Sequence, residues 1–371
     1  MKLSKSMTEK LTILLPLKNR TPFTLRWMRF ANNKHFPFKI ILADGGSDDS
    51  ATKIFANYSN FQDLDYKYVR YPEDINYTAY YKKVSDAMNL VESPYLLLAD
   101  NDDFFCTEGL IKSIEFLEEN PDYVAARGYY KGFSVKNPET KSDPNDLELY
   151  GELKLNGLVY PTISYNTESA ADRVTNYFTT WTPNWYNVAR TKNLCACWNQ
   201  TKALDLNDIF LMEHVLSGLL VAQGKTFSGA FPYYYRQFGE HYLTVSKVAI
   251  AREGDFFDRI LSETWIKDYW LLIGALAFGI QSQDGLCEKK AREIAQLSYK
   301  RFLAAVVFGA LDPYTKKISG PPVQKLSYRK RLKKYLSLYF PGDTREDWYT
   351  PQLREFLRKQ HEEIHKYSTM L

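Results

Sequence analysis

Asp100-Asn101-Asp102-Asp103 follows directly on the apolar run YLLLA at residues 95–99. Three carboxylates at the end of a buried strand repel one another, and a hard divalent cation relieves that repulsion. Mg²⁺ or Mn²⁺ held there would bridge a diphosphate, neutralise it and stabilise it as a leaving group. The competing reading is a solvated acidic turn that caps the helix starting near Glu108. A second acidic strand end, Asp44-Gly45-Gly46-Ser47-Asp48-Asp49-Ser50, follows FKIIL at 38–42. Its glycines permit a tight turn and close approach of a ligand to the backbone. Asp44 could accept a hydrogen bond from a base imide or a ribose hydroxyl, although the motif alone also fits an ordinary strand-to-helix turn.

A third group stands out by isolation. From Ile209 to Gly224 the run IFLMEHVLSGLLVAQG carries one formal charge, Glu213, with His214 beside it. A carboxylate in so apolar a helix is costly unless paired or used. Partial burial would raise its pKa toward that of a general base working near neutral pH. Pairing with a lysine or exposure to solvent is the plainer alternative.

Other motifs carry less. His361-Glu362-Glu363-Ile364-His365 matches H-E-x-x-H, but it lies in a highly charged stretch, with no third ligand of the usual kind in Lys366–Leu371. Cys195 and Cys197 form a lone C-x-C without a matching Cys/His pair, so a zinc site is not expected. The four cysteines are too few for a disulfide framework and fit reduced thiols in a cytoplasmic setting. The net charge of +4 gives no argument for nucleic acid. Lys325, Arg329, Lys330, Arg331, Lys333 and Lys334 are interleaved with Leu and Tyr. That pattern fits either a solvated helix face or peripheral contact with an anionic membrane surface carrying a lipid-linked acceptor.

The elements that must position these groups alternate over the first hundred residues. Apolar runs at 11–17, 38–44, 66–71 and 95–99 read as strands, and 21–33, 47–58, 78–91 and 108–119 read as helices. This order predicts an α/β fold with a mainly parallel sheet covered on both faces, whose ligands bind outside the carboxyl ends of the strands. Residues 136–156 read as a polar loop insertion. Strand-like runs return at 186–190 and 233–236, with a long helix over 207–223 between them, closed by Gly224. After about 245 the pattern is helical only, around 264–281 and 287–311, then basic, then a charged terminal helix. The expected division is therefore 1–245, a nucleotide-sugar-binding catalytic domain, and 246–371, a helical C-terminal domain. No apolar run reaches the ~20 residues that cross a bilayer. The helices at 264–281 and 287–311 are candidates for a homodimer face.

LTILLPLKNR, ILADGGSDDS and YLLLADNDDF resemble the successive fingerprints of family 2 glycosyltransferases with the GT-A fold. ADNDDFFCTEGLIKSIEFLEENPDYVAARGYY is similar to a bacterial subgroup with an A-D-x-D-D-F motif, as are YNVARTKNL, MEHVLSGLLVAQGKT and YYYRQ. The resemblance covers about residues 10–240. It implies a nucleotide-diphosphate sugar donor, a divalent metal (Mn²⁺ or Mg²⁺) and an inverting displacement onto a hydroxyl of a glycan or lipid-linked acceptor. It points to surface polysaccharide or glycoconjugate synthesis at the inner face of the cell membrane. Asp100 and Asp102 match the ends of D-x-D, and Asp103 matches the extra acid. Asp102 is the first candidate for the metal, with Asp100 nearer the ribose. The candidate nucleotide-sugar contacts are Pro16, Asp44, Lys83, Asp100 and Asn101. Glu213 matches the acceptor-activating base, with Asp208 as its rival, because the region reads MEH in place of the usual E-D pair. Ala43 stands where many members have another Asp, which leaves the base of the nucleotide open. A nucleotidyltransferase would carry a Gly-rich phosphate loop where this chain has Pro16-Leu17-Lys18-Asn19-Arg20. The non-enzyme alternative is an inactive sugar-binding or scaffold protein of the same fold.

Overall fold

The computed structural model describes residues 5–136, 149–160, 162–239, 254, 256–310 and 346–368. The basic segment 325–334 lies outside the described residues, as do the side chains of His361 and His365.

Four strands form the parallel half of a nine-stranded sheet, in the order β3 (Tyr66–Arg70), β2 (Lys39–Asp44), β1 (Leu11–Leu17), β4 (Tyr95–Leu98). Short runs of Leu and Ile become strands because both faces of the sheet are covered, and β4 is buried throughout. From β4 the sheet continues through β8 (Val188–Arg190), β6 (Tyr123–Lys136), β9 (Lys225–Gln237) and β5 (Phe104–Phe105). Here β8 runs antiparallel to both its neighbours, β9 runs parallel to β6, and β5 is antiparallel to β9. β7 (Glu152–Leu158) pairs with β6 off this path. Residues 152–156, expected as part of a loop, are thus strand, and 137–148 lie outside the described residues.

Register sets the site. Leu17 of β1 aligns with Asp44 of β2, and Leu14 aligns with Leu98 of β4. All four parallel strands therefore end on one edge, and the chain emerges there as Asp100–Asp103. Period-2 alternation divides the core. Ile13 and Leu15 of β1 pack with Trp27 and Met28 of α2 (Thr21–Asn33) and with Leu110, Ile114 and Leu117 of α5 (Thr107–Glu119). Leu14 faces the other way. It shares a cluster with α4 (Tyr77–Met88), α6 (Ala170–Thr180), α7 (Thr191–Ala203) and α8 (Ile209–Gln223). The short helices α1 (Lys5–Thr8) and α3 (Ser50–Phe55) join the cluster of Ile13 and Leu15, through Met7 and through Ala51 and Phe55.

The core does not stop at residue 245. α9 (Phe256–Ile260), α10 (Glu263–Asp284) and α11 (Glu288–Ala310) follow, and Leu272, Leu276, Ile280, Ala295 and Tyr299 belong to the same cluster as Leu14 and Leu98. Among the described residues the last strand is β9. α12 (Thr350–Ser368) returns to the start of the chain, where Tyr349, Leu353, Phe356 and Leu357 pack with Phe30, Phe104 and Tyr235. No described helix is long and apolar enough to cross a membrane.

Candidate active site

A cleft of about 520 Å³ opens at the carboxyl edge of β1 and β4. Its walls are Pro16, Lys18 and Arg20 after β1, residues 74–77 and Tyr80 at α4, the acidic turn 100–103, Pro183, Trp185 and Tyr186 before β8, Asn207, Ile209, Phe210 and Glu213 at α8, and Arg236 of β9.

The turn after β1 is strained. Asn19 and Arg20 both adopt left-handed backbone, with φ of 56° and 54°, which is uncommon for residues with a side chain. Two contacts hold it. Asn19 Oδ1 accepts hydrogen bonds from Ser47 N at 2.8 Å and Ser47 Oγ at 3.1 Å. Arg20 Nη1 donates to Asp102 Oδ2 at 2.7 Å. The other oxygen of Asp102, Oδ1, is buried and has no hydrogen-bond partner. Behind it Arg26 donates from Nη2 to Asp102 O and from Nη1 to Leu149 O, each at 2.8 Å. Its guanidinium lies between the rings of Phe23 and Phe104, at 5.0 and 4.9 Å. Burial lowers the pKa of Arg26 to about 10, so it stays charged at neutral pH.

Carboxylate oxygens of Asp100, Asp102 and Asp103 all lie within 4.8 Å of one another. Asp100 accepts from the Tyr186 hydroxyl. Burial, and then the charge of Asp102, pushes its pKa up to about 6. Asp103 accepts from the Tyr234 hydroxyl and from Gln237 N, the latter at 2.7 Å, and the same two causes raise its pKa. Three crowded acids with one buried, unpartnered oxygen are short of positive charge, which is the condition a divalent cation satisfies. These residues fit a hard metal. Asn101 ties the turn to α2 by donating to Thr24 Oγ1 at 2.9 Å.

Glu213 reaches the cleft from α8. Burial pushes its pKa up to about 7, opposed by Arg236 and reinforced by Asp100. Arg236 donates to Tyr160 Oη at 3.0 Å. Asp208, the rival base, is engaged elsewhere. Its Oδ1 caps α8 by accepting from Phe210 N at 2.8 Å and Leu211 N at 2.9 Å, and Arg259 Nε donates to its Oδ2 at 2.8 Å. Asp208 is not among the lining residues.

Two expected nucleotide contacts also fall outside the lining. Asp44 accepts from Gly46 N at 2.8 Å and from the Tyr68 hydroxyl at 2.5 Å, and pairs with Arg70 at 3.0 Å. Lys83 Nζ donates to Leu17 O at 2.7 Å and pairs with Asp74. Asp74 itself does line the cleft, and its Oδ1 is buried without a partner. Gly45 leaves room for it, since a Cβ there would lie 2.6 Å from the Asp74 carboxylate. The structure thus gathers Pro16, Asp100, Asn101, Asp102, Asp103 and Glu213 around one cleft, with Asp44, Lys83 and Asp208 set behind its walls. Sequence reasoning missed Arg20, Asp74, Tyr186 and Arg236. Arg236 and the Asp103 partner Tyr234 lie in YYYRQ, a segment the sequence singled out without giving either a role.

The model of glycosyl transferase family 2 matches residues 12–173 of this chain. No curated protein matches it in sequence. Among solved structures, S. aureus TarS 1-349 in complex with UDP is similar with a TM-score of 0.50 at 14% identity, over 88% of this chain and 78% of that one. S. aureus TarS 1-349 gives 0.49 at 15% identity, over 89% and 79%. At such identity the likeness is one of fold, a GT-A-type sheet flanked by helices with a helical region after it.

Proposed function

Since residues 12–173 match the model of glycosyl transferase family 2, we propose that this chain moves a sugar from a nucleoside diphosphate to a hydroxyl of a glycan or lipid-linked acceptor, with inversion at the anomeric carbon. The observation that carries this reading is the meeting of the Asp100–Asp103 turn and Glu213 on one cleft. A diphosphate needs cations where the leaving charge develops, and an attacking hydroxyl needs a base on the opposite face of the sugar.

Asp102 and Asp100, with Asp103, would hold Mn²⁺ or Mg²⁺, which when bound neutralises the departing diphosphate. Lys18 and Arg20 add positive charge on the same wall. Asp74, with its unpartnered oxygen, suits the imide N–H of a uracil base, and Asp44 would shape that pocket from behind through Gly46, Tyr68 and Arg70. The UDP complex of the similar TarS structure supports UDP as the first nucleotide to try. Glu213 takes the proton of the acceptor hydroxyl, which attacks from the side away from the diphosphate. Residues 1–245 would carry the nucleotide-sugar-binding and catalytic groups, and 246–371 would form a helical region packed against them. Contact of 325–334 with an anionic membrane, and a homodimer, complete the proposal.

The test is metal-dependent turnover of a panel of UDP-, GDP-, CDP- and dTDP-sugars, with the product anomer read by NMR. Release of nucleoside diphosphate with inverted sugar supports the reading. Release of pyrophosphate would favour a nucleotidyltransferase, and binding without turnover a scaffold.

A further inference from the structure

The N-terminal turn of α8 is held by more than its own cap. Asp208 already accepts from Phe210 N and Leu211 N, which is sufficient to start a helix. A second layer comes from beyond residue 245. Asp268 of α10 is fully buried. Its Oδ2 accepts from Asn207 N at 2.7 Å and Asp208 N at 3.0 Å, and its Oδ1 from Asn207 Nδ2 at 3.3 Å. Arg259 of α9 is also buried and grips Asp208 with two nitrogens, Nη2 lying 2.7 Å from Oδ1 and 2.5 Å from Oδ2. The guanidinium of Arg259 stands 3.9 Å from the centroid of the Phe210 ring. Asn207 and Phe210 line the cleft, as does Glu213.

We propose that Asp268 and Arg259 are positioning residues for Glu213, fixing the first turn of α8 so that the chain after residue 245 completes the active site. The proposal rests on the base role given to Glu213. Glu213 lies five positions after Asp208, about 7.5 Å along a helix axis. A helix moves as a stiff rod over that length, so a shift of its first turn is carried to the carboxylate. Misplacement by about 1 Å can cost on the order of 10²-fold in rate. Glu213 is otherwise faced by Arg236 of β9, Asp100, Tyr81 of α4, Tyr177 of α6 and Tyr160. None of these belongs to α9 or α10, so the two residues act through backbone placement and not through charge at Glu213.

The experiment uses the full chain with Asp268→Ala, Arg259→Gln and Arg259→Lys. Four quantities are read: the thermal melt, UDP affinity with Mn²⁺, the kcat for hydrolysis of UDP-N-acetylglucosamine and UDP-glucose, and amide hydrogen exchange over 209–213. Asp268→Ala and Arg259→Gln are expected to keep UDP affinity within about twofold, lose about 10²-fold in kcat and exchange faster over 209–213. Arg259→Lys is expected to recover most of the rate. Unchanged kcat and exchange in folded variants overturns the proposal, as does a parallel loss of UDP affinity and kcat. If Asp268→Ala fails to fold, the two Arg259 variants decide by the same readings. If the parent hydrolyses neither sugar nucleotide, the donor reading is in question and the exchange rates alone decide this one, unchanged rates over 209–213 overturning it.

Discussion

Arg20 holds one oxygen of Asp102 at 2.7 Å while the other oxygen of the same carboxylate sits buried without a partner. Asp102 is therefore half-neutralised by the protein and half open to a cation. Asp102→Asn keeps the size and one acceptor but removes the charge that both partners need. The expected outcome is loss of the Mn²⁺-dependent gain in UDP affinity, by about 10-fold or more, with the melting temperature retained. Calorimetry with and without Mn²⁺ checks it, and an unchanged gain would move the metal off Asp102.

Glu213→Gln is expected to lower transfer by about 10²–10⁴-fold while sparing nucleotide affinity. As the proposed base, Glu213 is competent only when ionised, so log kcat of the parent should fall with unit slope as pH drops below about 7. Stability should move the other way. The folded chain holds the Glu213 proton at about 7, against an ordinary value of 4.5. Stability from this group is whole below 4.5 and is lost as pH rises through 7. Glu213→Gln should thus be more stable than the parent at pH 8, on the order of 1–3 kcal/mol, with the gain gone at pH 4. Paired denaturant titrations at the two pH values test the sign.

Lys83 and Asp74 form an ion pair in which each side chain is only 2% exposed. Removing one partner leaves an uncompensated buried charge, which costs about 3–5 kcal/mol. Lys83→Met should show that loss in urea unfolding, and Lys83→Met with Asp74→Leu should recover most of it. If the single variant is as stable as the parent, the pair carries little of the structure.

Gly45 is where the absence of a side chain matters to the cleft. Gly45→Ala places a methyl group 2.6 Å from the Asp74 carboxylate. Asp74 must turn away, taking its free oxygen out of the cleft. UDP affinity is expected to fall about 10-fold or more, with no change for Gly274→Ala, where a Cβ meets nothing within 4 Å. Equal affinities for the two variants would detach Asp74 from nucleotide binding.

The strands that carry the acidic ends were legible because burial on both faces writes itself as unbroken Leu and Ile. Their alignment on one edge follows from strand–helix alternation. The helices α6 and α7 were missed for an opposite reason. Their inward positions repeat at helical spacing, but in α6 one of them is Arg173, and in α7 they include Cys197 and Thr201. Arg173 is at home inside because it donates to Val221 O and Ala222 O at the end of α8, at 2.7 and 2.8 Å. A pattern of apolar letters cannot show a buried cation whose partners are backbone oxygens. Arg20 and Arg236 escaped for another reason, since their side-chain partners Asp102 and Tyr160 lie 82 and 76 residues away along the sequence. Asp74 lines the cleft and Asp44 does not, because register joins Asp44 to Tyr68 and Arg70 of the next strand while the loop after β3 delivers Asp74. Nothing in the sequence shows that Arg259 of α9 engages Asp208 while Glu213 lines the cleft.

Tyr349 donates to the carbonyl oxygen of Phe105 at 2.8 Å across 244 residues of sequence. The neighbouring contacts, Asp347 to the hydroxyls of Tyr129 and Tyr235 and to Lys131, close on the same wall. That wall carries Tyr234 and Arg236. On a ribosome making about 5–20 residues per second, Phe105 would wait about 12–50 seconds for Tyr349 to be synthesised. Through that interval Phe30 and Phe104, joined by Tyr235 once it is made, lack the ring and aliphatic cover that Tyr349, Leu353 and Phe356 later supply. The wall beside the acidic turn is therefore completed only after residues 347–357 have been synthesised.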